Sequence, residues 1–340
     1  DRYAFTFEDE QTTVELSKAD LTDKKELPGA SLKVTDEDGN TVDEWVSKEE
    51  AHIIKGLIVG KKYKMTETKP ADGYVTAESI EFTVENTKEV QKHQMLDDVT
   101  KVEISKKDIT DSSEVPGAKL IILDKDGKKV ESWTSTDKPH MVEKLPVGEY
   151  TLREEQAPDG YLIAEDVKFT VKDTGKVQKV KMKDAHPYGK LVIKKTDSTS
   201  KAALSGAEFE LREKESGKVV EKLVTDKTGT ATSGKLPIAT YKNGKVEKTV
   251  EYILVETKAP NGYELSSKKE EIRFEYKDGK TKVIEIVKEI KNTKSPSGST
   301  PTGNSPKTGD STNIWLPILL AVLSACGIGG VIWYKKKKGN

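Results

Sequence analysis

The sequence predicts an all-β protein built from three tandem β-sandwich domains. Apolar and polar residues alternate over short runs, as around Phe82 and Val84, which is the period of a strand with one buried face. Tight-turn dipeptides such as Asp38-Gly39 separate these runs. Short strands with a turn about every ten residues are typical of a sandwich, and no helical stripe is found before the C-terminal apolar segment.

Composition excludes several classes of function. Of the 340 residues, 34% are charged and 34% are apolar, which is lean for one large core and sufficient for two or three small domains. The formal net charge is −1, so no basic excess points to nucleic acid. One cysteine and four histidines exclude a disulfide framework and leave little material for a metal site or a catalytic triad. We therefore expect no cofactor, no metal and no enzyme activity.

Two motifs each recur three times, and they define the repeat. The first reads YKMTETKPADGY at 63–74, YTLREEQAPDGY at 150–161 and YILVETKAPNGY at 252–263. The second is Lys-x-Asp, followed nine residues after its Asp by Gly-Ala, and it begins at Lys18, Lys106 and Lys195. Paired motifs at regular spacing indicate three units of about 85–105 residues. The third unit carries extra residues around 241–251, which predict a longer hairpin.

These repeats predict the domain boundaries. Residues 4–7 resemble residues 81–84, so we interpret the N-terminal residues as the tail of a preceding unit. The sequence shows no initiating Met and no signal peptide, which favours a C-terminal fragment of a longer exported protein. The predicted segments are a tail at 1–13, sandwiches at 14–98, 99–186 and 187–293, a linker at 294–313, an apolar span at 314–334 and a basic tail at 335–340.

The C-terminal region has the composition of a membrane-directed segment. Residues 314–334 form 21 positions without a charge, about the length that crosses a hydrocarbon core. Four lysines follow at once, as at the cytoplasmic end of a span. The linker before it is rich in Ser, Thr, Pro and Gly, which favours an extended and flexible chain. One interpretation is a permanent single-span anchor.

The linker also contains a pentapeptide with a second interpretation. It consists of Ser305, Pro306, Lys307, Thr308 and Gly309, and it stands five residues before the apolar span. The order of pentapeptide, span and basic tail resembles the cell-wall sorting signal of Gram-positive surface proteins, whose usual form is LPXTG. Serine takes the place of leucine here. The resemblance implies that a sortase cuts between Thr308 and Gly309 and joins the threonine to peptidoglycan or to a pilin subunit, so that the membrane holds only an intermediate.

Within each unit, a Lys, a Glu and an Asp or Asn fall on the apolar faces of predicted strands. Lys18, for example, shares its face with Val14 and Leu16 because side chains two residues apart point the same way. The nine residues are Lys18, Glu67 and Asp97, then Lys106, Glu154 and Asp184, then Lys195, Glu256 and Asn292.

Burying such a trio requires a reason, because an unpaired buried charge is costly. One explanation is a buried ion-pair network, or a register that leaves these groups at the wet rim. The other is chemical. A desolvated lysine is a neutral nucleophile, and a protonated glutamic acid can transfer protons and polarise a carbonyl. Attack on the Asp or Asn side chain would then form an amide.

The two motifs together resemble the CnaB-type or SpaA-type prealbumin-like domains of Gram-positive pilins and adhesin stalks. The resemblance covers residues 14–293 and implies a prealbumin-like, Ig-like sandwich for each unit. It also implies intramolecular isopeptide bonds, which form without an external enzyme. The implied bonds are Lys18–Asp97 with Glu67 as catalyst, Lys106–Asp184 with Glu154, and Lys195–Asn292 with Glu256. Asp98 is an alternative acceptor to Asp97.

The sequence therefore favours a cell-wall-anchored stalk or pilin-like protein on the outer surface of a Gram-positive bacterium. A first alternative is an adhesin that binds a host or matrix protein through the insertion near Tyr241. A second is the stalk of a surface enzyme whose catalytic domain precedes this fragment. A turnover enzyme within the chain itself is not expected.

The sorting interpretation predicts the fate of two variants. Replacing Thr308 or Gly309 should leave the protein in the membrane or release it to the medium, because the scissile bond is no longer recognised. The measurement is the fraction recovered in covalent linkage to peptidoglycan, with Ser299→Ala in the same linker as control. Normal linkage of the Thr308 and Gly309 variants would contradict the interpretation.

Overall fold

The computed structural model describes residues 10–296, and every regular element in that range is a β-strand. Within the same range, no helix is long and apolar enough to cross a membrane. The predicted span at 314–334, the pentapeptide at 305–309 and residues 1–9 of the predicted tail lie outside the described residues. The predicted all-β class is confirmed.

The first domain is a sandwich of a three-stranded and a four-stranded sheet. Their strand orders are β4-β1-β7 and β3-β2-β5-β6. All neighbours are antiparallel except β1 and β7, which are parallel. The strands are β1 (Thr13–Asp20), β2 (Ser31–Thr35), β3 (Thr41–Val46), β4 (His52–Lys55), β5 (Lys62–Lys69), β6 (Ile80–Thr83) and β7 (Gln91–Asp97).

The second domain repeats this topology strand for strand. Its sheets run β11-β8-β14 and β10-β9-β12-β13, and again only the first and last strands, β8 and β14, are parallel. The strands are β8 (Lys101–Asp108), β9 (Lys119–Asp124), β10 (Lys129–Thr134), β11 (His140–Glu143), β12 (Gly148–Gln156), β13 (Val167–Val171) and β14 (Gln178–Asp184).

The third domain keeps the plan and adds a hairpin. One sheet runs β17-β16-β22-β23, and in the other β15 pairs with β18, β19 and, in parallel, β24. The added hairpin β20–β21 forms where the extra residues predicted one. The strands are β15 (Tyr188–Asp197), β16 (Glu208–Glu213), β17 (Val219–Val224), β18 (Thr230–Thr232), β19 (Leu236–Pro237), β20 (Ala239–Lys242), β21 (Lys245–Thr249), β22 (Glu251–Lys258), β23 (Lys269–Arg273) and β24 (Val283–Asn292).

Alternating side chains fill the space between the two sheets of each domain. In the first domain Val14, Leu16, Leu32 and Met65 are buried, while their neighbours along each strand are more exposed. Burial of this apolar surface is the main favourable term in folding. Each domain has its own cluster of this kind, so each sandwich is stabilised around its own core.

Parallel pairing of the first and last strands sets the register on which the candidate site depends. In the first domain Lys18 lies opposite Met95, and Asp20 lies opposite Asp97. Met95 and Asp97 are two positions apart and point the same way, because side chains alternate along a strand. Lys18, which lies opposite Met95, therefore shares the inner face with Asp97. The second and third domains repeat this register, so each lysine meets the last acceptor of its own domain.

Hydrogen bonds fix the joint between the first and second domains. Thr76 donates through its backbone N–H and its hydroxyl to Asp173, at 2.9 and 2.7 Å. The Lys144 ammonium donates to the Tyr74 hydroxyl at 2.6 Å. A side chain at Gly73 would have its Cβ 2.3 Å from the Lys144 carbonyl oxygen, so the two backbones are in direct contact.

The hairpin β20–β21 forms part of the joint between the second and third domains, beside a hydrogen bond from the Tyr276 hydroxyl to the Tyr161 carbonyl at 3.0 Å. The Tyr241 hydroxyl donates to the Gly160 carbonyl at 2.8 Å, and its ring stacks on His186 with centroids 3.4 Å apart. A Cβ at Gly160 would meet Val246 at 2.3 Å. The hairpin therefore packs its aromatic side chain against the preceding domain.

The close approach at the first joint predicts unequal effects of two glycine substitutions. Both Gly73 and Gly39 have a left-handed φ, +84° and +85°, so Gly→Ala should cost about 1–2 kcal/mol at each. Gly39 has open space around it, whereas Gly73 touches Lys144, so Gly73→Ala should lose about 1–3 kcal/mol more. The measurement is the free energy of unfolding of the purified chain. Equal losses would contradict the close contact.

Candidate functional site

The three predicted residues of the first domain meet between its sheets. Lys18, Glu67 and Asp97 are only 1%, 4% and 1% exposed. The Lys18 Nζ contacts Asp97 Oδ1 and lies 2.9 Å from Glu67 Oε1. The backbone N–H of Ala77 donates to the other glutamate oxygen, Oε2, at 2.6 Å. Strands β1, β5 and β7 thus each supply one polar group to one buried point.

Asp97 and its neighbour Asp98 point in different directions. Asp98 accepts hydrogen bonds from the Lys101 ammonium, at 2.9 Å to each of its oxygens. Only Asp97 reaches Lys18. The structure thus brings Asp97, the acceptor preferred from the sequence, into contact with Lys18. It turns the alternative acceptor, Asp98, toward Lys101 at the joint with the second domain.

The second domain repeats the arrangement. The Lys106 Nζ contacts Asp184 Oδ1 and lies 2.9 Å from Glu154 Oε2. The same glutamate oxygen accepts the backbone N–H of Ala164 at 2.7 Å. All three side chains are buried.

The third domain has an amide in place of the carboxyl acceptor. The Lys195 Nζ contacts Asn292 Oδ1 and lies 3.1 Å from Glu256 Oε1. Asn292 Nδ2 donates to that same glutamate oxygen at 2.9 Å, while the Ser266 N–H donates to Oε2 at 2.9 Å. Glu256 therefore orients the amide so that its carbonyl faces the lysine.

Burial shifts the pKa of one group in each domain toward its neutral form, which is the form that condensation needs. Burial raises the pKa of Asp97 to about 7, with Glu67 adding to the rise and Lys18 opposing it. Burial likewise raises the pKa of Asp184 to about 7. In the third domain burial lowers the pKa of Lys195, although Glu256 opposes the change. Burial thus favours the neutral acids of Asp97 and Asp184 and the neutral amine of Lys195.

The first two sites differ from the third in the number of protons that a neutral buried group requires. The first two contain one lysine and two carboxyls, so the buried group is neutral when the lysine is ionised and one carboxyl holds a proton, or when the lysine is neutral and both carboxyls do. In the described part of the chain, Asp97 Oδ2 and Asp184 Oδ2 have no hydrogen-bond partner. The third site has one lysine, one carboxyl and a neutral amide, and its Asn292 amide is hydrogen-bonded to Glu256.

The structure also joins residues of the two motifs that sequence reasoning left without a role. The last tyrosine of the longer motif donates its hydroxyl to the aspartate of Lys-x-Asp in every domain. The pairs are Tyr74–Asp20 at 2.8 Å, Tyr161–Asp108 at 2.8 Å and Tyr263–Asp197 at 2.9 Å. The threefold recurrence of both motifs was the signal that could have predicted this contact.

Comparison with known proteins identifies the repeated unit. A family model described as SpaA, a prealbumin-like fold domain, matches residues 12–98, 100–186 and 189–290. A search of curated proteins found no match. Among solved structures, the Bacillus anthracis TIE protein is 27% identical with a TM-score of 0.56, over 84% of this chain and 51% of that one. The chain thus spans about half the length of that relative.

Two pilins of known structure are also similar over most of the chain. BcpA, the major pilin subunit of Bacillus cereus, is 19% identical with a TM-score of 0.49, over 84% of this chain and 100% of that one. The major pilin SpaD from Corynebacterium diphtheriae is 19% identical with a TM-score of 0.39, over 87% and 100%.

Proposed function

This chain belongs to the SpaA family of prealbumin-like fold domains, and from that membership we propose that it is a stalk or pilin-like part of a Gram-positive surface protein. Its domains would be stiffened by self-formed isopeptide bonds. The observation that carries the proposal is the buried Lys–Glu–Asp/Asn trio, found in the same geometry in three successive domains. The chemistry happens once in each domain, so the chain is not a turnover enzyme.

The bond-forming step balances with the groups present. In the first domain the Lys18 lone pair attacks Asp97 Cγ, the C–N bond forms, and the C–O bond breaks as water leaves. Glu67 takes a proton from the nitrogen and returns one to the leaving oxygen. In the third domain the same step on Asn292 releases ammonia instead of water. No cofactor or co-reactant is needed.

Position and burial support this reaction over a permanent ion pair. The amine already touches the acceptor carboxyl or amide, which removes most of the entropic cost of bringing the groups together. An apolar surrounding favours the neutral amine and the neutral acid over the charged pair. The glutamate carboxyl, which lies 2.9–3.1 Å from the lysine nitrogen in each domain, provides the proton acceptor that a nucleophilic lysine requires.

Each bond would close a long loop. Lys18 and Asp97 are 79 residues apart, Lys106 and Asp184 are 78 apart, and Lys195 and Asn292 are 97 apart. By the estimate used for disulfides, such closures stabilise the folded state by about 4–5 kcal/mol, mainly through the unfolded chain. Small, lean domains have a net free energy of unfolding of similar size, so the bond would lengthen the time for which they stay folded outside the cell.

Attachment to the cell wall is the second part of the proposal. Support comes from the order of the pentapeptide 305–309, the apolar span 314–334 and the lysines that follow. A sortase would cleave after Thr308, and peptidoglycan or a pilin subunit would supply the accepting amine. The protein would then reside on the extracellular face of the wall, with the membrane serving only before cleavage.

The hairpin contact favours a stalk over the adhesin alternative. Tyr241 is the only aromatic residue in the insertion, and its hydroxyl and ring are both engaged with the second domain. Val246 of the same hairpin covers Gly160. An insertion that binds a host protein would present such groups to solvent, whereas this one joins two domains.

The bonds predict a mass deficit. The purified chain should weigh less than its sequence mass by two waters and one ammonia, about 53 Da in all. Glu154→Ala should restore one water, located to the second domain by peptide mapping, and make that domain easier to unfold and digest. Glu155→Ala is the matched control, because its side chain is exposed on the same strand. An unmodified mass in the folded wild type would leave only the buried ion pair.

The acceptor type predicts a difference in pH dependence. The first two domains need the neutral acid of Asp97 or Asp184, whose pKa values are raised to about 7, so their bonds should form more slowly as pH rises above 7. Asn292 has no such proton, and a neutral Lys195 is favoured by higher pH, so the third domain should not slow. The measurement is the rate of each mass loss in freshly synthesised chains. A common decline in all three domains would contradict it.

A further inference from the structure

A tyrosine–aspartate pair stands beside each proposed bond, and nothing in the reaction above uses it. The aspartate follows the reactive lysine by two residues, and the tyrosine ends the motif that carries the glutamate. Both members are largely buried in the first two domains. A hydrogen bond that recurs in three domains at nearly the same length, 2.8–2.9 Å, is a constant part of the unit.

The pair connects the three strands that supply the reacting groups. In the third domain Asp197 ends the lysine strand β15 and lies opposite Asn292 of β24 in the parallel register. Tyr263 follows the glutamate strand β22, and its backbone bridges to Lys294 just beyond Asn292. One hydrogen bond therefore joins the end of the lysine strand to the loop that leads from the glutamate, beside the acceptor.

The aspartate is also held as a fixed acceptor. Its other oxygen, Oδ1, accepts the backbone N–H groups of Thr199 and Ser200 at 2.8 and 2.7 Å. These bonds, with that from Tyr263, lower the pKa of Asp197 to about 2, so it stays ionised. A charged acceptor forms a stronger and more directional hydrogen bond with a phenol than a neutral one does.

We propose that the tyrosine–aspartate pair is a positioning pair for isopeptide bond formation, which holds the lysine strand in register with its glutamate and acceptor. The inference rests on the proposed bonds. Neither residue touches the reacting atoms, so neither is catalytic. Intramolecular reactions of this kind are sensitive to displacement, and a shift of about 1 Å can slow them by about a hundredfold.

The third domain is the clearest place to test the pair. In the first domain the Lys144 ammonium of the next domain also donates to the Tyr74 hydroxyl, at 2.6 Å. In the second, His186 is 2.9 Å from Asp108, and Tyr241 of the next domain stacks on that histidine. Among the described residues, the hydrogen-bond partners of the Asp197 and Tyr263 side chains all belong to the third domain.

The other tyrosine of the same motif is a matched control. Tyr252 is buried on β22, and its hydroxyl donates to the Pro237 carbonyl at 2.6 Å. It lies four residues before Glu256 on the same strand, and its hydroxyl contacts the Pro237 carbonyl and not the aspartate of the Lys-x-Asp motif. Tyr252→Phe and Tyr263→Phe each remove one hydroxyl and one hydrogen bond, so a general loss of stability should follow from both.

The experiment follows the loss of ammonia from the third domain in freshly synthesised chains that carry all three domains. Tyr263→Phe should slow this loss by about tenfold or more, whereas Tyr252→Phe should leave the rate near that of the wild type. The rates at which the first two domains of the same molecules lose water serve as internal reference rates. Unfolding of each Tyr→Phe variant is measured in a Glu256→Ala background, where the bond is absent and stability alone is reported.

Two aspartate variants separate positioning from charge. Asp197→Asn can keep both contacts, since its oxygen accepts the backbone N–H groups and its amide donates to the tyrosine oxygen, so it should retain most of the rate. Asp197→Ala should be as slow as Tyr263→Phe. Equal rates for Tyr252→Phe and Tyr263→Phe, or a slow Asp197→Asn, would overturn the inference. A wild type without any mass loss would instead refute the proposed bonds.

Discussion

The burial of one lysine with one glutamate and one Asp or Asn between two sheets is the constraint on which each domain depends. Such a group is tolerated only if it is nearly neutral and fully contacted, because a lone charge in that position would cost several kcal/mol. The parallel pairing of first and last strands satisfies this requirement by bringing lysine and acceptor to the same face. The glutamate completes the group from the other sheet, and in each domain its carboxylate also accepts a backbone N–H.

Much of the fold and part of the site could be predicted from the sequence. Strand periodicity of two residues indicates which side chains share a face, so it placed Lys18, Glu67 and Asp97 inside. Periodicity does not identify the neighbouring strand, and the parallel register of β1 and β7 became visible only in three dimensions. Periodicity favours Asp97 over Asp98 but does not exclude Asp98, because β7 ends at Asp97 and the alternation of faces need not continue beyond the end of a strand.

Contacts between domains were the least predictable part. Lys144 lies in a loop with no recognisable motif, yet it donates to Tyr74 across the first joint. The sequence offers Tyr241 to the adhesin alternative, because it lies in an aromatic-bearing insertion of the kind that a ligand-binding domain would need. Its partners Gly160 and His186 lie about 55–80 positions earlier in the chain, and a pattern read within one unit cannot reveal them.

The parallel first and last strands also determine how the molecule would lengthen under tension. A domain that unfolds under tension without a cross-link lengthens by roughly 3.4 Å per residue. The 79 residues between Lys18 and Asp97 would therefore add about 270 Å of contour length. With the proposed amide in place, a pull applied at the two ends of the domain passes directly from β1 to β7, and the intervening residues stay out of the path. A surface fibre made of such units would resist lengthening under shear flow, because none of its cross-linked domains could release its folded chain.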